Sequence, residues 1–201
     1  MSPRSRLVSA ATLSDVELEA VRAIYETAFP EELTAPFASL LADRLLVRVE
    51  EDGPAGFALL RDLGPTGWTF LRYYAVGTRG RGTGSAMWAE LTALLAREGR
   101  TRLIWDVEDP DEPGIADHLV EEHRRRIVFY ERLGGRLLPV RDYFPPHDDG
   151  HAPALRLMDR PLRGDIADVP LRTLVEGVYE RRYGLPADSP VVRRTLRASG
   201  L

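Results

Sequence analysis

The chain contains no cysteine, and no lysine, asparagine or glutamine. Without cysteine there is no disulfide, no thiolate metal site and no cysteine nucleophile. Without lysine the phosphate loop G-x-x-x-x-G-K-[ST] cannot be spelled. Apart from four histidines, every basic side chain is arginine, and codon bias in a GC-rich genome accounts for that. Long apolar runs are missing as well. No segment approaches the length of a membrane span, and the opening MSPRSRLVSAATLSDVE lacks the apolar core of a signal peptide. The expectation is a soluble, cytoplasmic protein with no membrane partner. A dominant positive charge is also absent, the net charge being −4, whereas nucleic-acid binders carry a basic domain or stripe. The longest basic cluster, Arg124-Arg125-Arg126, follows Glu121 and Glu122 and reads as a solvated helix face. No nucleic-acid partner is expected.

What is present suits one generous domain, or one domain with an appendage: 201 residues, 44% of them hydrophobic, enough for a sizeable core. Residues 6–10 read as a short strand. Ser14 and Glu17 then spell a capping box, and Val21, Ile24, Tyr25 and Ala28 recur at helical spacing until Pro30. A second short helix carries Leu33, Phe37, Leu40 and Leu41 and ends near Asp43. The period then changes. RLLVRVE, AGFALLRDL and WTFLRYYAV are strand-like runs separated by the turn signals EDGP and GPTG, which implies an antiparallel meander. A helix over residues 85–98 follows, with Met87, Leu91, Leu94 and Leu95 as its apolar stripe and Gly99 at its end. RLIWDVE is the next strand. After the acidic segment DPDEPGIAD comes a helix through Leu133 with Val120, Ile127 and Tyr130 on one side. RLLPV and PALRLM could close the sheet as a pair of strands. The tail is expected to hold one amphipathic helix near residues 171–183 and a polar, arginine-rich end.

Between the third strand and its helix lies YYAVGTRGRGTGSAMW, residues 73–88. Glycines let another group approach the main chain, and a helix N-terminus offers unpaired N–H groups at the positive end of its dipole. The pattern therefore points to an anion, most simply a phosphate. It does not match the dinucleotide fingerprint G-x-G-x-x-G, since Gly80, Gly82 and Gly84 are spaced differently and follow a meander. An S-adenosylmethionine methyltransferase would place an acid where Thr78 stands; that alternative is incomplete but stays open.

Arg79-x-x-Gly82-x-Gly84 resembles the [Q/R]-x-x-G-x-[G/A] pyrophosphate loop of the GCN5-related N-acetyltransferases, the GNAT superfamily. VFYERLGGR, residues 128–136, is similar to that family's late FY-x-x-x-GF segment, and the element order agrees over roughly residues 5–160. Two departures are visible: a loop about two residues shorter than in many members, and a longer segment between Asp106 and Tyr130 that lacks an asparagine often found there.

The resemblance implies a mixed α/β (α+β) fold, a mostly antiparallel sheet flanked by helices. Residues 1–162 would form the acetyltransferase domain and 163–201 a helical extension, packed on its own domain or on the partner subunit of a homodimer. It implies acetyl-CoA as co-substrate, bound where the strands WTFLRYYAV and RLIWDVE splay apart. The main chain at Ala75 and Val76 would hold the pantetheine arm, an amide near Val76 would face the thioester oxygen, and residues from Arg79 to Ser85 would hold the pyrophosphate. These include Arg81, Gly82, Thr83 and Gly84. Tyr130 would protonate the leaving sulfur. Asp106 takes the position of the catalytic glutamate of ribosomal-protein N-terminal acetyltransferases and is the candidate base, with Glu108 in reserve. Tyr143, like Glu108, would line the acceptor side. The acceptor is expected to be a small-molecule or peptide amine, attacked directly in a ternary complex; an acyl-CoA-binding protein without turnover is the alternative on the same fold. The acids of residues 109–122 suit either a cationic acceptor or simply a solvated helix start. His118 and His123 read as helix surface. HDDGH, residues 147–151, has metal-ligand residue types but no fixed geometry, so no metal is expected.

Overall fold

The computed structural model describes residues 5–29, 35–78, 80, 82–146, 154–164 and 168–201. Among them the strands are β1 (Arg6–Ser9), β2 (Arg44–Glu50), β3 (Gly53–Asp62), β4 (Trp68–Val76), β5 (Arg102–Glu108), β6 (Arg136–Leu137) and β7 (Leu155–Pro161). The helices are α1 (Asp15–Ala28), α2 (Phe37–Leu40), α3 (Thr83–Arg97), α4 (Asp117–Arg132), α5 (Leu171–Tyr183) and α6 (Pro190–Ala198). All seven strands belong to one mixed, mostly antiparallel sheet. Strands β1 to β4 are neighbours in chain order, whereas β7 lies between β5 and β6. The chain folds as two compact units, Met1–Arg61 with Leu71–Glu98, and Asp62–Phe70 with Gly99–Leu201.

In the first unit the capping box closes as its residue types require. The Glu17 amide donates to Ser14 Oγ, and the Ser14 amide donates to the Glu17 carboxylate at 2.8 Å. α1 buries Val21 and Tyr25 among Leu45, Val47, Phe57, Leu59 and Ala75. The meander registers Leu45 on Leu59 and Val47 on Phe57, so alternate residues of both strands feed one core. A register shift at Arg48/Val49 marks a bulge. α3 begins at Thr83, two residues earlier than its periodicity suggests, and buries Met87, Trp88, Leu91 and Leu95; Leu94 is only half-buried.

The second unit is built on β5 and β7, antiparallel from Arg102↔Pro161 to Glu108↔Leu155. The expected strand RLLPV shortens to Arg136–Leu137. Pro139 has no N–H to donate, the Val140 amide turns back to the Leu138 carbonyl at 2.8 Å, and Val140 enters the core. The tail holds two helices where the sequence suggested one. Pro190 starts α6 and Val192, Thr195 and Leu196 form its buried stripe. Leu174, Val175 and Val178 of α5 and Val192 and Leu196 of α6 share a core with Trp68, Phe70, Ile104 and Leu157. The tail helices thus help build this unit's interior.

Candidate active site

At the end of β4, Ala75 is buried and Val76 half-buried. Gly56 of β3 explains how the chain fits there: a Cβ at that position would stand 2.7 Å from the Ala75 carbonyl oxygen. The Gly77 amide donates to the Ala55 carbonyl at 2.9 Å, after which the chain leaves the sheet. Gly80 and Gly82 both have positive φ, +87° and +76°, with nothing within 4 Å of where a Cβ would lie. Gly82 is the N-cap of α3 and, having no side chain, cannot cap the first-turn amides as Ser14 does in α1. Those amides at Thr83, Gly84 and Ser85 have no partner within the helix. Thr83 is buried, Gly84 half-buried and Ser85 exposed. Tyr74 anchors the arrangement from the strand: its hydroxyl donates to the Gly84 carbonyl at 2.5 Å, and its ring meets Trp88 edge-on at 5.6 Å. Sequence reading passed over Tyr74 because nothing marks it except its parity along β4. Arg79 and Arg81 lie outside the described residues.

The other named residues belong to the second unit. Alternation along β5 sends Trp105 towards α4, where its ring lies 5.0 Å from that of Tyr130. Ile104 and Asp106 take the opposite face, Ile104 packing with the α5 core. Tyr130 is 6% exposed. Burial pushes its phenol well above the usual tyrosine range, and the nearby charges of Glu108 and Asp106 add to that against the opposing Arg126. The proton therefore stays on at neutral pH.

Glu108 is paired with Arg126, which also bonds Glu122 at 3.3 Å. Burial alone would raise the Glu108 carboxyl, but the Arg126 guanidinium outweighs it and the net shift is downwards. A carboxylate held ionised by a guanidinium in this way is a weak proton acceptor. Asp106 is half-buried, and its Oδ2 accepts from the Tyr183 hydroxyl at 2.6 Å. Tyr183, at the last residue of α5, was not singled out in the sequence. The signal available was its i, i+4 relation to Tyr179 on the apolar stripe of that helix.

Tyr143 is 1% exposed and sits in the core of the second unit, its ring 5.3 Å from that of Tyr179. Of the cluster Arg124-Arg125-Arg126, only Arg126 turns inward. The acids at the start of residues 109–122 are partly neutralised, because Arg156 reaches both Asp109 and Asp111 at 3.0 Å. His118 is exposed, whereas His123 is half-buried with Nδ1 3.5 Å from the Asp109 carbonyl. Among the described residues no group of three or more His, Asp or Glu could hold a metal, and the HDDGH stretch lies outside them. No helix among them is long and apolar enough to cross a membrane.

Residues 15–134 match the model of the Acetyltransferase (GNAT) family. No curated relative matches in sequence. Among solved structures, a GNAT-family protein from Bacteroides thetaiotaomicron is similar with a TM-score of 0.67 at 20% identity, covering 90% of this chain and 99% of its own. The ribosomal-protein-S18-alanine N-acetyltransferase from Escherichia coli gives 0.57 at 19% identity, over 84% and 100%. An aminoglycoside 6'-N-acetyltransferase in complex with coenzyme A gives 0.61 at 16% identity, over 81% and 99%. The fold is common to all of these, the family match spans more than half of the chain, and the protein therefore belongs to the GNAT acetyltransferases, a family of acyltransferases.

Proposed function

We propose that the protein transfers the acetyl group of acetyl-CoA to a primary amine by direct attack in a ternary complex. The observation that carries this reading is the exposed glycine loop with positive φ at Gly80 and Gly82, opening onto the uncapped start of α3. The residues present fit a diphosphate: first-turn amides and the helix dipole supply positive potential, and the glycines leave room for close approach. In this reading Thr83, Gly84 and Ser85 hold the diphosphate, and Ala75 and Val76 hold the pantetheine arm by main-chain bonds. An amide near Val76 stabilises the oxyanion, an effect worth about 3 kcal/mol in comparable sites.

Acetyl-CoA supplies an activated acyl carbon with a thiolate leaving group. The amine must lose one proton before its nitrogen can attack, because an α-amine has a pKa of about 8 and a lysine amine about 10.4. Asp106 takes that proton, directly or through water, and passes it to solvent. As the C–N bond forms and the C–S bond breaks, Tyr130 gives its phenolic proton to sulfur. The second proton on nitrogen then restores the phenol through water. Burial keeps Tyr130 protonated until that step, which suits a donor.

The test has two stages. Acetyl-CoA at about a hundred times its Kd should stabilise the protein by about 2.7 kcal/mol in a thermal-shift assay, with no such gain from S-adenosylmethionine. Thiol release should then be measured with spermidine, an aminoglycoside and a peptide with a free N-terminal alanine. Tyr130→Phe is expected to lower kcat by about 10²- to 10⁴-fold, the usual contribution of a positioned general acid, with little change in KM for acetyl-CoA. Stabilisation by acetyl-CoA without thiol release in any arm would leave a binding protein; stabilisation by S-adenosylmethionine alone would overturn the assignment.

A further inference from the structure

Resting on the reading of Asp106 as the base, we propose that Tyr183 is a positioning residue for it, which makes the C-terminal helices part of the catalytic apparatus.

The Tyr183 hydroxyl meets Asp106 Oδ2 at 2.6 Å, although the two residues are 77 apart in sequence. Several contacts immobilise the phenol. Its ring packs edge-on against Phe70 at 6.2 Å and tilted against Tyr179 at 6.3 Å, and the Arg182 guanidinium lies 4.7 Å from its centroid. The backbone is fixed at the same point. Gly184, in the left-handed region at φ +68°, ends α5 immediately after Tyr183, its amide donating to the Glu180 carbonyl at 2.9 Å.

A second phenol stands behind the first. The Tyr143 hydroxyl is buried beside Tyr183 without a well-formed hydrogen bond. Immediately before it in the chain stands Asp142, which has φ +52°, an uncommon conformation for a residue with a side chain. α6 holds that conformation: Thr195 Oγ1 donates to the Asp142 carbonyl at 2.6 Å and Arg194 bonds its carboxylate at 3.1 Å. Both tail helices therefore converge on the surroundings of one carboxylate.

The consequence for Asp106 follows from chemistry. A donor fixed on one oxygen sets the plane of the carboxylate and hence the direction its other oxygen presents. It also stabilises the carboxylate relative to the acid, so removing the donor should shift the titration of Asp106 upwards. Among the described residues, the titratable groups near enough to feel the Asp106 charge include Tyr179 and Tyr183 from α5, Tyr143 from the connection before β7 and Tyr130 from α4, with Arg182 against Tyr183 and Arg194 near Tyr179; of these, Tyr183 is the one shown bonded to the carboxylate.

The experiment compares Tyr183→Phe, which keeps the packed ring, with Tyr179→Phe, which removes a tail hydroxyl bonded to Thr195 at 2.9 Å. Carbon-13 NMR follows the Asp106 carboxyl in the free protein, assigned as the resonance missing from Asp106→Asn. Loss of the Tyr183 donor should raise the Asp106 midpoint by roughly one pH unit, and Tyr179→Phe should leave it in place. The acidic limb of kcat/KM, with the fastest amine of the acceptor panel, should move by the same amount in the same direction, KM for acetyl-CoA staying within about twofold. A merely structural tyrosine would lower the melting temperature in both variants and move neither midpoint nor limb. An unmoved midpoint in Tyr183→Phe overturns the proposal. A midpoint that moves while Asp106→Asn keeps full turnover shows instead that Asp106 is not the base; the hydrogen bond stands, but its catalytic role falls.

Discussion

The ring of Trp105 rests on that of Tyr130, with centroids 5.0 Å apart and planes inclined by 50°, and the Trp105 ring and the Tyr130 carbonyl together fill the space above Gly135. A Cβ at Gly135 would stand 2.9 Å from two Trp105 ring atoms and 2.9 Å from the Tyr130 carbonyl oxygen. Neither neighbour can give way easily: one is a buried indole, the other backbone that already accepts from the Gly135 amide at 2.9 Å. Gly135→Ala is therefore expected to cost about 1–3 kcal/mol, the usual penalty of overpacking, and to lower kcat by displacing Tyr130. Urea unfolding and thiol release on the same preparation would check it. Unchanged stability and turnover would show that the two rings do not depend on the glycine.

The Arg126–Glu108 pair should make stability depend on pH in a definite direction. The folded Glu108 carboxyl titrates below its unfolded value. Its contribution is therefore complete above the ordinary glutamate pKa of about 4.3 and is lost as pH falls through the lower, folded value. With both side chains about a quarter to a third exposed, solvent screens part of the interaction. Glu108→Gln is expected to destabilise by about 1–3 kcal/mol at pH 7, and the deficit should shrink once the pH drops below about 4. Urea melts at pH 7, 5 and about 3 would measure it; a deficit that grows on acidification would reverse the sign argued here.

Local signals were the legible ones. Ser14 and Glu17 announced the start of α1, the turns EDGP and GPTG announced the meander, and the glycine run announced the approach to α3. Each is decided by residues within a few positions of one another. α6 was harder to see because its stripe of Val192, Thr195 and Leu196 is thin and interrupted by arginines; its stability comes from a core assembled by distant segments. β6 was overestimated because periodicity favours a strand, whereas the missing N–H of Pro139 shortens it. The Tyr183–Asp106 hydrogen bond was invisible for the same reason as α6: helical spacing shows that Tyr183 faces inward, but not which strand it will meet.

Docking of α5 against β4 turns on a single hydrogen. A Cβ at Gly177 would lie 2.8 Å from a ring carbon of Trp68, itself only 6% exposed. Two effects oppose each other in Gly177→Ala. Replacing glycine within a helix gains about 1 kcal/mol of intrinsic propensity, while forcing a methyl into a filled space costs about 1–3 kcal/mol. The buried indole has little freedom to move, so net destabilisation is expected. Shrinking the ring should relieve it: Gly177→Ala combined with Trp68→Leu should be less destabilised than the sum of the single variants, a favourable coupling of about 0.5–3 kcal/mol. Strict additivity would mean that helix and ring do not compete for the same space.

At Gly82 conformation and binding can be separated. Its φ of +76° suits glycine, and an added Cβ would meet nothing within 4 Å. A larger residue would thus suffer from backbone strain and would also project into the space assigned to the diphosphate. The left-handed conformation costs an ordinary residue about 1–2 kcal/mol, more for a β-branched one, so Gly82→Val is expected to lower stability modestly. If the loop amides hold the diphosphate, KM for acetyl-CoA should rise by at least about tenfold, the equivalent of about 1.4 kcal/mol, and thermal stabilisation by coenzyme A should be lost. KM for the amine should change little, because the substitution leaves Asp106 and Tyr183 untouched. A variant that loses stability but binds coenzyme A as well as the parent would remove the diphosphate from this loop.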